Sequence, residues 1–287
     1  MKKFALPLIA LGSLLFTACG STGPQADVPQ PTIAALPEET VTTTGTELAF
    51  DKLSSQIVYG TVTSTTYRPY QVSVTPYNSM SGWCGGTLIS SNWILTAAHC
   101  VQGYSASSMR VRAGINNLTT TSGQQRTPSQ IIIHPYYSDA SKGYDIALVR
   151  VGTAFTLGST VQTAALPNNT TESVLDVNGR SATVSGWGKT ETGSSSPTAL
   201  REVTIPITPT GSDCGTRPSN TICGKYDAGK DSCNGDSGGP LASRYNSKFY
   251  VLGIVSYGPS ACRGYGVYTR VNGYINWIYQ QTGIGAQ

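Results

Sequence analysis

Apolar and polar positions change over along this chain in short runs. In the first half the apolar runs are Tyr70–Thr75, Trp83–Ile89, Trp93–Thr96, Met109–Ala113, Gln130–Ile133 and Ile146–Val151. A second series follows at Ala182–Ser185, Val203–Ile207, Phe249–Ser256 and Gly266–Thr269. Gly, Asn, Ser and Pro punctuate them. Short β-branched and aromatic runs between turn residues predict an all-β sandwich or barrel rather than βαβ units. One segment follows a different period. Val271, Tyr274, Ile275, Ile278 and Tyr279 lie on one face of a helix, which predicts a C-terminal α-helix. Thr119–Gly123 and Thr190–Thr198 read as polar loops, and no solenoid or propeller repeat is present.

The start of the chain breaks this pattern. Lys2 and Lys3 precede an apolar run from Phe4 to Phe16. The run is shorter than the roughly 20 residues that a membrane-spanning helix needs. Residues 1–18 therefore read as a secretory signal peptide. The run ends in Thr17-Ala18-Cys19-Gly20, which resembles the lipobox of bacterial lipoprotein signal peptides, with Phe16 where Leu is usual. That resemblance implies a lipid-anchored Cys19. The alternative is an ordinary signal peptide that contains a cysteine. Residues 19–56 hold Pro24, Pro29, Pro31 and Pro37 with no regular period, and read as a tether or pro-segment. Residues 57–287 are then the folded domain, exported to a compartment where disulfides persist.

Composition narrows the partners. Hydrophobic residues make up 39% and charged residues 12%, which argues against disorder. The net charge is +4; after residue 56 there are 16 basic and 10 acidic residues without a basic block, so nucleic acid is not an expected partner. The 7 cysteines are an odd number, so at least one lies outside the intramolecular disulfides, and spacing alone leaves the pairing open.

Few residues can carry chemistry. The only histidines are His99 and His134, which leaves no His-rich metal site. Gly114 to Pro128 contains no acid, so that loop offers calcium no carboxylate. Singly, His99 reads as a structural histidine, Asp145 as a strand-end cap and Ser237 as part of a Gly-rich turn. Together they form a chemical set. A serine hydroxyl needs an adjacent base, and a histidine titrating near neutrality suits that task. A carboxylate fixes the histidine's tautomer and stabilises its charged form. Glycines beside the serine let backbone N–H groups face a developing oxyanion.

The segments around these residues resemble the chymotrypsin/trypsin-like serine peptidases. They are Ile57-Val58-Tyr59-Gly60, Cys84-Gly85-Gly86-Thr87-Leu88-Ile89, Thr96-Ala97-Ala98-His99-Cys100 and Asp145-Ile146-Ala147-Leu148. They continue with Ser185-Gly186-Trp187-Gly188, Asp231-Ser232-Cys233-Asn234-Gly235-Asp236-Ser237-Gly238-Gly239-Pro240 and Gly266-Val267-Tyr268-Thr269. The resemblance runs from Ile57 to about Gln281. It implies two six-stranded antiparallel β-barrels with a C-terminal α-helix and an active site in the cleft between them.

It also implies roles. His99 is the general base, Asp145 its orienting acid and Ser237 the nucleophile. The N–H groups of Gly235 and Ser237 form the oxyanion hole, and Ser256 hydrogen-bonds Asp145. Asp231 is the acid at the base of a pocket for Arg or Lys, with Ser232 beside it and Gly258 and Gly266 as wall glycines. The chain departs from the family at Tyr257, at Tyr265 and in the short link from Cys262 to Gly266. The implied disulfides are Cys84–Cys100, Cys214–Cys223 and Cys233–Cys262, which leaves Cys19 for the anchor. His134 receives no role.

Activation follows from the same resemblance. Cleavage frees the Ile57 amine, which pairs with Asp236. The residue before it is Gln56, so an enzyme specific for Arg or Lys does not activate itself and a separate activating peptidase is expected. Cleavage there also parts Cys19 from the enzyme. The whole reads as a bacterial serine endopeptidase, anchored as a lipoprotein before processing and extracellular or periplasmic after it. It acts on protein or peptide substrates as a monomer, with no cofactor or metal. The alternative is a non-catalytic binding or adhesin member of the same fold, which predicts damage to the nucleophile, base or oxyanion glycine.

Overall fold

In a computed structural model of the chain, the structure describes residues 60–79, 83–189, 197–209, 213–225, 232–261 and 264–287. The signal peptide, the tether, Cys19, Gln56, Ile57, Asp231 and Cys262 lie outside the described residues.

The chain forms strands β1 (Thr61–Val62), β2 (Gln71–Pro76), β3 (Cys84–Leu88) and β4 (Trp93–Thr96), then a single helical turn, α1 (Ala98–Val101). Strands β5 (Met109–Ala113), β6 (Gln124–Arg126), β7 (Pro128–Ile133) and β8 (Ala147–Val151) complete the first half. Helix α2 (Asn169–Leu175) leads into β9 (Ser181–Gly186), β10 (Arg201–Thr208) and β11 (Thr221–Lys225). Strands β12 (Pro240–Tyr245), β13 (Lys248–Tyr257) and β14 (Tyr265–Arg270) precede the terminal helix α3 (Ile275–Thr282).

These strands make two antiparallel barrels. The first has the order β6-β5-β2-β3-β4-β8-β7 and is nearly closed. In the second, β9 pairs with both β10 and β12, so β9, β10, β11, β14, β13 and β12 form a closed ring of six. The short strand β1 adds to β10 from the first half of the chain. Closure removes the free edges that an open sheet would expose.

Each barrel has its own apolar interior. Val72, Leu88, Ile94, Val111 and Leu148 are fully buried in the first, and Val184, Ile222, Leu241 and Tyr268 in the second. Each such aliphatic side chain contributes about 1.5–3 kcal/mol on burial. Strand β2 is buried on both faces because its outward side meets the second barrel. There Ser185 Oγ donates to Gln71 Oε1 at 2.6 Å, which satisfies polar groups at the seam.

Several elements carried no apolar pattern. Strand β1 is two exposed residues, and β6 is Gln-Gln-Arg. Strand β12 opens on Pro240, which a strand tolerates at its first residue. Helix α2 is set by a capping box: Asn168 Oδ1 accepts from Thr171 N–H, and Thr171 Oγ1 accepts from Asn168 N–H, both at 2.8 Å. The predicted terminal helix begins later than its apolar face. Val271–Tyr274 is a 3-10 turn, and the α-helix starts at Ile275. Val271 and Tyr274 are both buried three residues apart, the spacing that a 3-10 turn aligns. Gly283, left-handed at φ +73°, ends the helix. Val271, Tyr274 and Ile278 pack into the first barrel's core, so the end of the chain braces the half opposite to the one it follows.

Candidate active site

His99 lies on α1, directly after the fully buried strand β4. The Cys84–Cys100 disulfide ties that turn to the start of β3. Asp145 is wholly buried just before β8. His99 Nδ1 lies 2.8 Å from Asp145 Oδ2, and the His99 backbone N–H donates to Oδ1 at 3.0 Å. The second barrel supplies the rest of the support. Ser256 Oγ on β13 donates to Asp145 Oδ2 at 2.6 Å, and Thr269 Oγ1 on β14 donates to the Asp145 carbonyl at 2.9 Å. A carboxylate accepting at Nδ1 places the ring proton there and leaves Nε2 as the nitrogen with a free lone pair. Nε2 lies 3.7 Å from Cys100 Sγ, and among the described residues no hydrogen bond joins it to Ser237. Bonds between base and nucleophile are commonly long before substrate binds.

Ser237 sits between two left-handed glycines, Gly235 at φ +102° and Gly238 at φ +74°. Gly238 is required twice over. Besides its φ, a Cβ there would run into Thr96 Oγ1 and lie 2.7 Å from the Gly85 carbonyl. This close approach presses the serine loop onto the end of β4, three residues before His99. The Ser237 carbonyl accepts from Gly85 N–H at 2.8 Å, and Gly238 N–H donates to Val255 at 2.8 Å. Among the described residues, the N–H groups of Gly235 and Ser237 have no acceptor. Both residues are half-buried. Two free donors beside a nucleophile are the arrangement that stabilises an oxyanion.

Asp236 is fully buried next to this loop. Its carboxylate accepts from Gly188 N–H at 2.8 Å and Cys233 N–H at 3.0 Å. Burial pushes its pKa up to about 6 against the pull of those two bonds. It has no cationic partner among the described residues. A Cβ on Gly186 or Gly188 would strike the carboxylate, so both glycines make room for it.

A cavity of about 190 Å³ opens beside Ser237, lined by Ser232, Val255, Ser256, Tyr257 and Gly258 among others. Ser232 Oγ is 3.3 Å from Tyr268 Oη. A Cβ on Gly258 would meet the Tyr265 carbonyl at 3.0 Å and Gly266 Cα at 3.7 Å, so backbone forms that wall. Asp231, expected at the base, lies outside the described residues. Cys214–Cys223 is formed, and Cys233 is disulfide-bonded to a partner outside the described residues. A larger hollow of about 390 Å³, bordered by Arg68, Arg180 and Arg244, shares no residue with this site. Cys84, His99 and Cys100 lie close enough to ligate a metal, but their two sulfurs are in the disulfide and offer no thiolate.

The structure thus brings His99, Asp145, Ser237, Gly235, Ser232, Ser256 and Gly258 to one place. Sequence reasoning gave no role to Thr269, Gly186 or Gly188. All three lie inside quoted motifs, and the glycines flanking Trp187 were the available signal.

Residues 57–278 match the family model described as Trypsin. The chain is 39% identical to Trypsin I-P1 of Gallus gallus over 248 residues, covering 82% of this chain and 93% of that protein. It is 36% identical to Chymotrypsin-like elastase family member 1 of Macaca fascicularis over 246 residues, covering 80% and 90%. It is 37% identical to Trypsin of Sus scrofa over 235 residues, covering 78% and 95%. With two barrels meeting at this site, the chain belongs to the trypsin-like serine peptidase family. It is a serine endopeptidase acting on protein substrates.

Proposed function

We propose that this enzyme hydrolyses peptide bonds after Arg or Lys and is exported as a zymogen cleaved between Gln56 and Ile57. Ser237 Oγ attacks the substrate carbonyl while His99 Nε2 takes its proton, and Asp145 stabilises the imidazolium. The oxyanion is held by the N–H groups of Gly235 and Ser237. His99 then gives the proton to the leaving amine, and an acyl-enzyme remains on Ser237. Water, deprotonated by His99, releases the acid and restores the serine. The observation that carries this reading is the Asp145–His99 pair, bonded from both barrels, beside a serine loop with two unbonded N–H groups.

The preference for Arg or Lys rests on Asp231, six positions before Ser237 in a segment resembling the trypsin pocket. A desolvated carboxylate there pairs with a guanidinium or ammonium group. Relatives include both trypsin and elastase, so the pocket is what the assay must decide. Processed protein is tested on Arg, Lys, Phe and Ala amides. Turnover on Arg and Lys that falls by about 10³-fold or more in Ser237→Ala is expected. Asp231→Ser keeps the nucleophile but loses the Arg/Lys preference. Preference for Phe or Ala in the unmodified enzyme removes the role given to Asp231. No turnover on any substrate favours the non-catalytic reading.

Activation and location complete the proposal. The freed Ile57 amine pairs with Asp236 and orders the oxyanion loop. The disulfides fit an oxidising compartment. Cys19 carries the lipid of a bacterial lipoprotein, and cleavage at Gln56–Ile57 releases a monomeric enzyme from the membrane. Purified zymogen that converts itself at that bond with first-order kinetics rules out a separate activating peptidase.

A further inference from the structure

Asp145 stands on a sharp bend. Gly143 has φ +89°, and Tyr144, a bulky residue, is also left-handed at φ +58°. Ile146 N–H donates to the Tyr144 carbonyl at 2.8 Å, closing a three-residue turn centred on Asp145. Tyrosine disfavours the left-handed region, so surrounding contacts must hold it there.

Those contacts come from two directions. Tyr144 N–H donates to Tyr274 Oη, in the C-terminal 3-10 turn, at 3.2 Å. The Tyr144 ring stacks on His134, with centroids 4.9 Å apart and planes 20° apart. It also meets Tyr136 edge-on at 5.5 Å and Tyr274 at 6.1 Å. His134 is itself fixed. Its ring lies 5.3 Å from Tyr274 and 5.0 Å from Trp277, and its backbone N–H donates to the Ile146 carbonyl at 3.2 Å. His134 Nδ1 accepts from Tyr136 N–H at 3.3 Å, which makes the ring neutral with its proton on Nε2. Burial lowers its pKa in the same sense.

We propose that Tyr274 is a positioning residue for catalysis: its hydroxyl, with the Tyr144–His134 stack, holds the bend that aims Asp145 at His99. Tyr274 touches neither substrate nor the reacting atoms. It acts through the Tyr144 backbone, which fixes where the next carboxylate can meet the two N–H groups of His99. The end of the chain thereby sets the geometry of an acid more than a hundred residues earlier. The proposal rests on the Ser237–His99–Asp145 reading above.

The test is Tyr274→Phe, which removes the hydroxyl and keeps the ring. In the processed enzyme kcat falls about fivefold, the worth of one neutral hydrogen bond, while KM stays within about twofold. The low-field proton resonance of His99 Nδ1–H broadens as its bond to Asp145 loosens. Asparagine occupies the left-handed region far more readily than tyrosine. Adding Tyr144→Asn to Tyr274→Phe therefore recovers most of the lost kcat. Unchanged kcat with an unchanged resonance in Tyr274→Phe overturns the proposal. So does a loss that Tyr144→Asn fails to recover, because the Tyr274 hydroxyl then acts through its other partner, the Asn220 side chain, and not through the Tyr144 backbone. If Tyr274→Phe does not fold, Tyr144→Val decides with Tyr274 in place. A β-branched residue resists the bend, so kcat falls more than tenfold, and wild-type kcat overturns the idea. Failure of the triad reading is separately visible, as activity that survives Ser237→Ala. The Nδ1 resonance reports on the clamp without turnover.

Discussion

The two halves of the active site are built differently. On the first barrel, Asp145 and His99 are fully engaged, with both carboxylate oxygens, the ring Nδ1 and the Asp145 carbonyl bonded. On the second, the serine loop holds two left-handed glycines, two unbonded N–H groups and a buried carboxylate without a cation among the described residues. The first half is complete as folded. Among the described residues, the second has unbonded donors and an uncompensated carboxylate of the kind that substrate, and the Ile57 amine proposed above, would satisfy. The difference teaches that Asp145 and His99 are held in place by packing, while the serine loop keeps donors free, which is where the activation proposed above would act.

Three measurements press on that contrast. The largest effect belongs to the complete half. Asp145→Asn keeps the shape but cannot hold the productive histidine tautomer, and kcat falls about 10⁴-fold at neutral pH while the circular dichroism spectrum stays native. On the open half, Asp236→Asn removes the partner proposed for the Ile57 amine. Cleaved enzyme then loses about 10²–10³-fold in kcat, the worth of an ordered oxyanion donor. Equal activity before and after cleavage in the unmodified protein would show that the second half is already set.

Stability against pH separates the halves further. The folded pKa of Asp236 is raised from 3.8 to about 6, so its stability contribution is complete below the unfolded value and lost as pH rises through about 6. In uncleaved protein, Tm therefore falls across that range, and Asp236→Asn removes part of the fall. Asp176, also raised to about 6 by burial, stays in both proteins, so the difference between the two Tm curves isolates Asp236. His134 works in the opposite sense. Its lowered pKa gives stability that is present above the ordinary histidine range and lost as pH falls below it. A smaller effect on rate than at Asp145 or Asp236 is expected at Ser256→Ala. It removes one charge-assisted donor from Asp145 and leaves both bonds to His99, so kcat falls about tenfold. A loss as large as that of Asp145→Asn would mean that the acid is held mainly from the second barrel.

Much of this site is legible in one dimension. Thr96-Ala97-Ala98-His99-Cys100, Asp145-Ile146-Ala147-Leu148 and Gly235-Asp236-Ser237-Gly238-Gly239 each carry local backbone demands, such as positive φ at Gly235 and Gly238, that few sequences meet. The β pattern shows wherever a strand has one buried face, as in β10, whose buried and less buried positions alternate. Strand β6 was invisible because all three of its residues are polar, and α2 because its signal is a cap rather than a stripe. The bond from Thr269 to Asp145 and the bond from Tyr274 to Tyr144 span 124 and 130 positions, and no local pattern encodes such a pair.

The sequence by itself determined the all-β architecture and supplied the residues proposed here as base, acid and nucleophile. Periodicity and turn chemistry are local, and they survive in a string of letters. Only the tertiary structure decided how the acid is held. Closing the second barrel brings Ser256 and Thr269 against Asp145, and folding the C-terminal turn back onto the first barrel places Tyr274 under Tyr144. Those contacts exist because buried polar groups must find partners wherever the packed chain puts them.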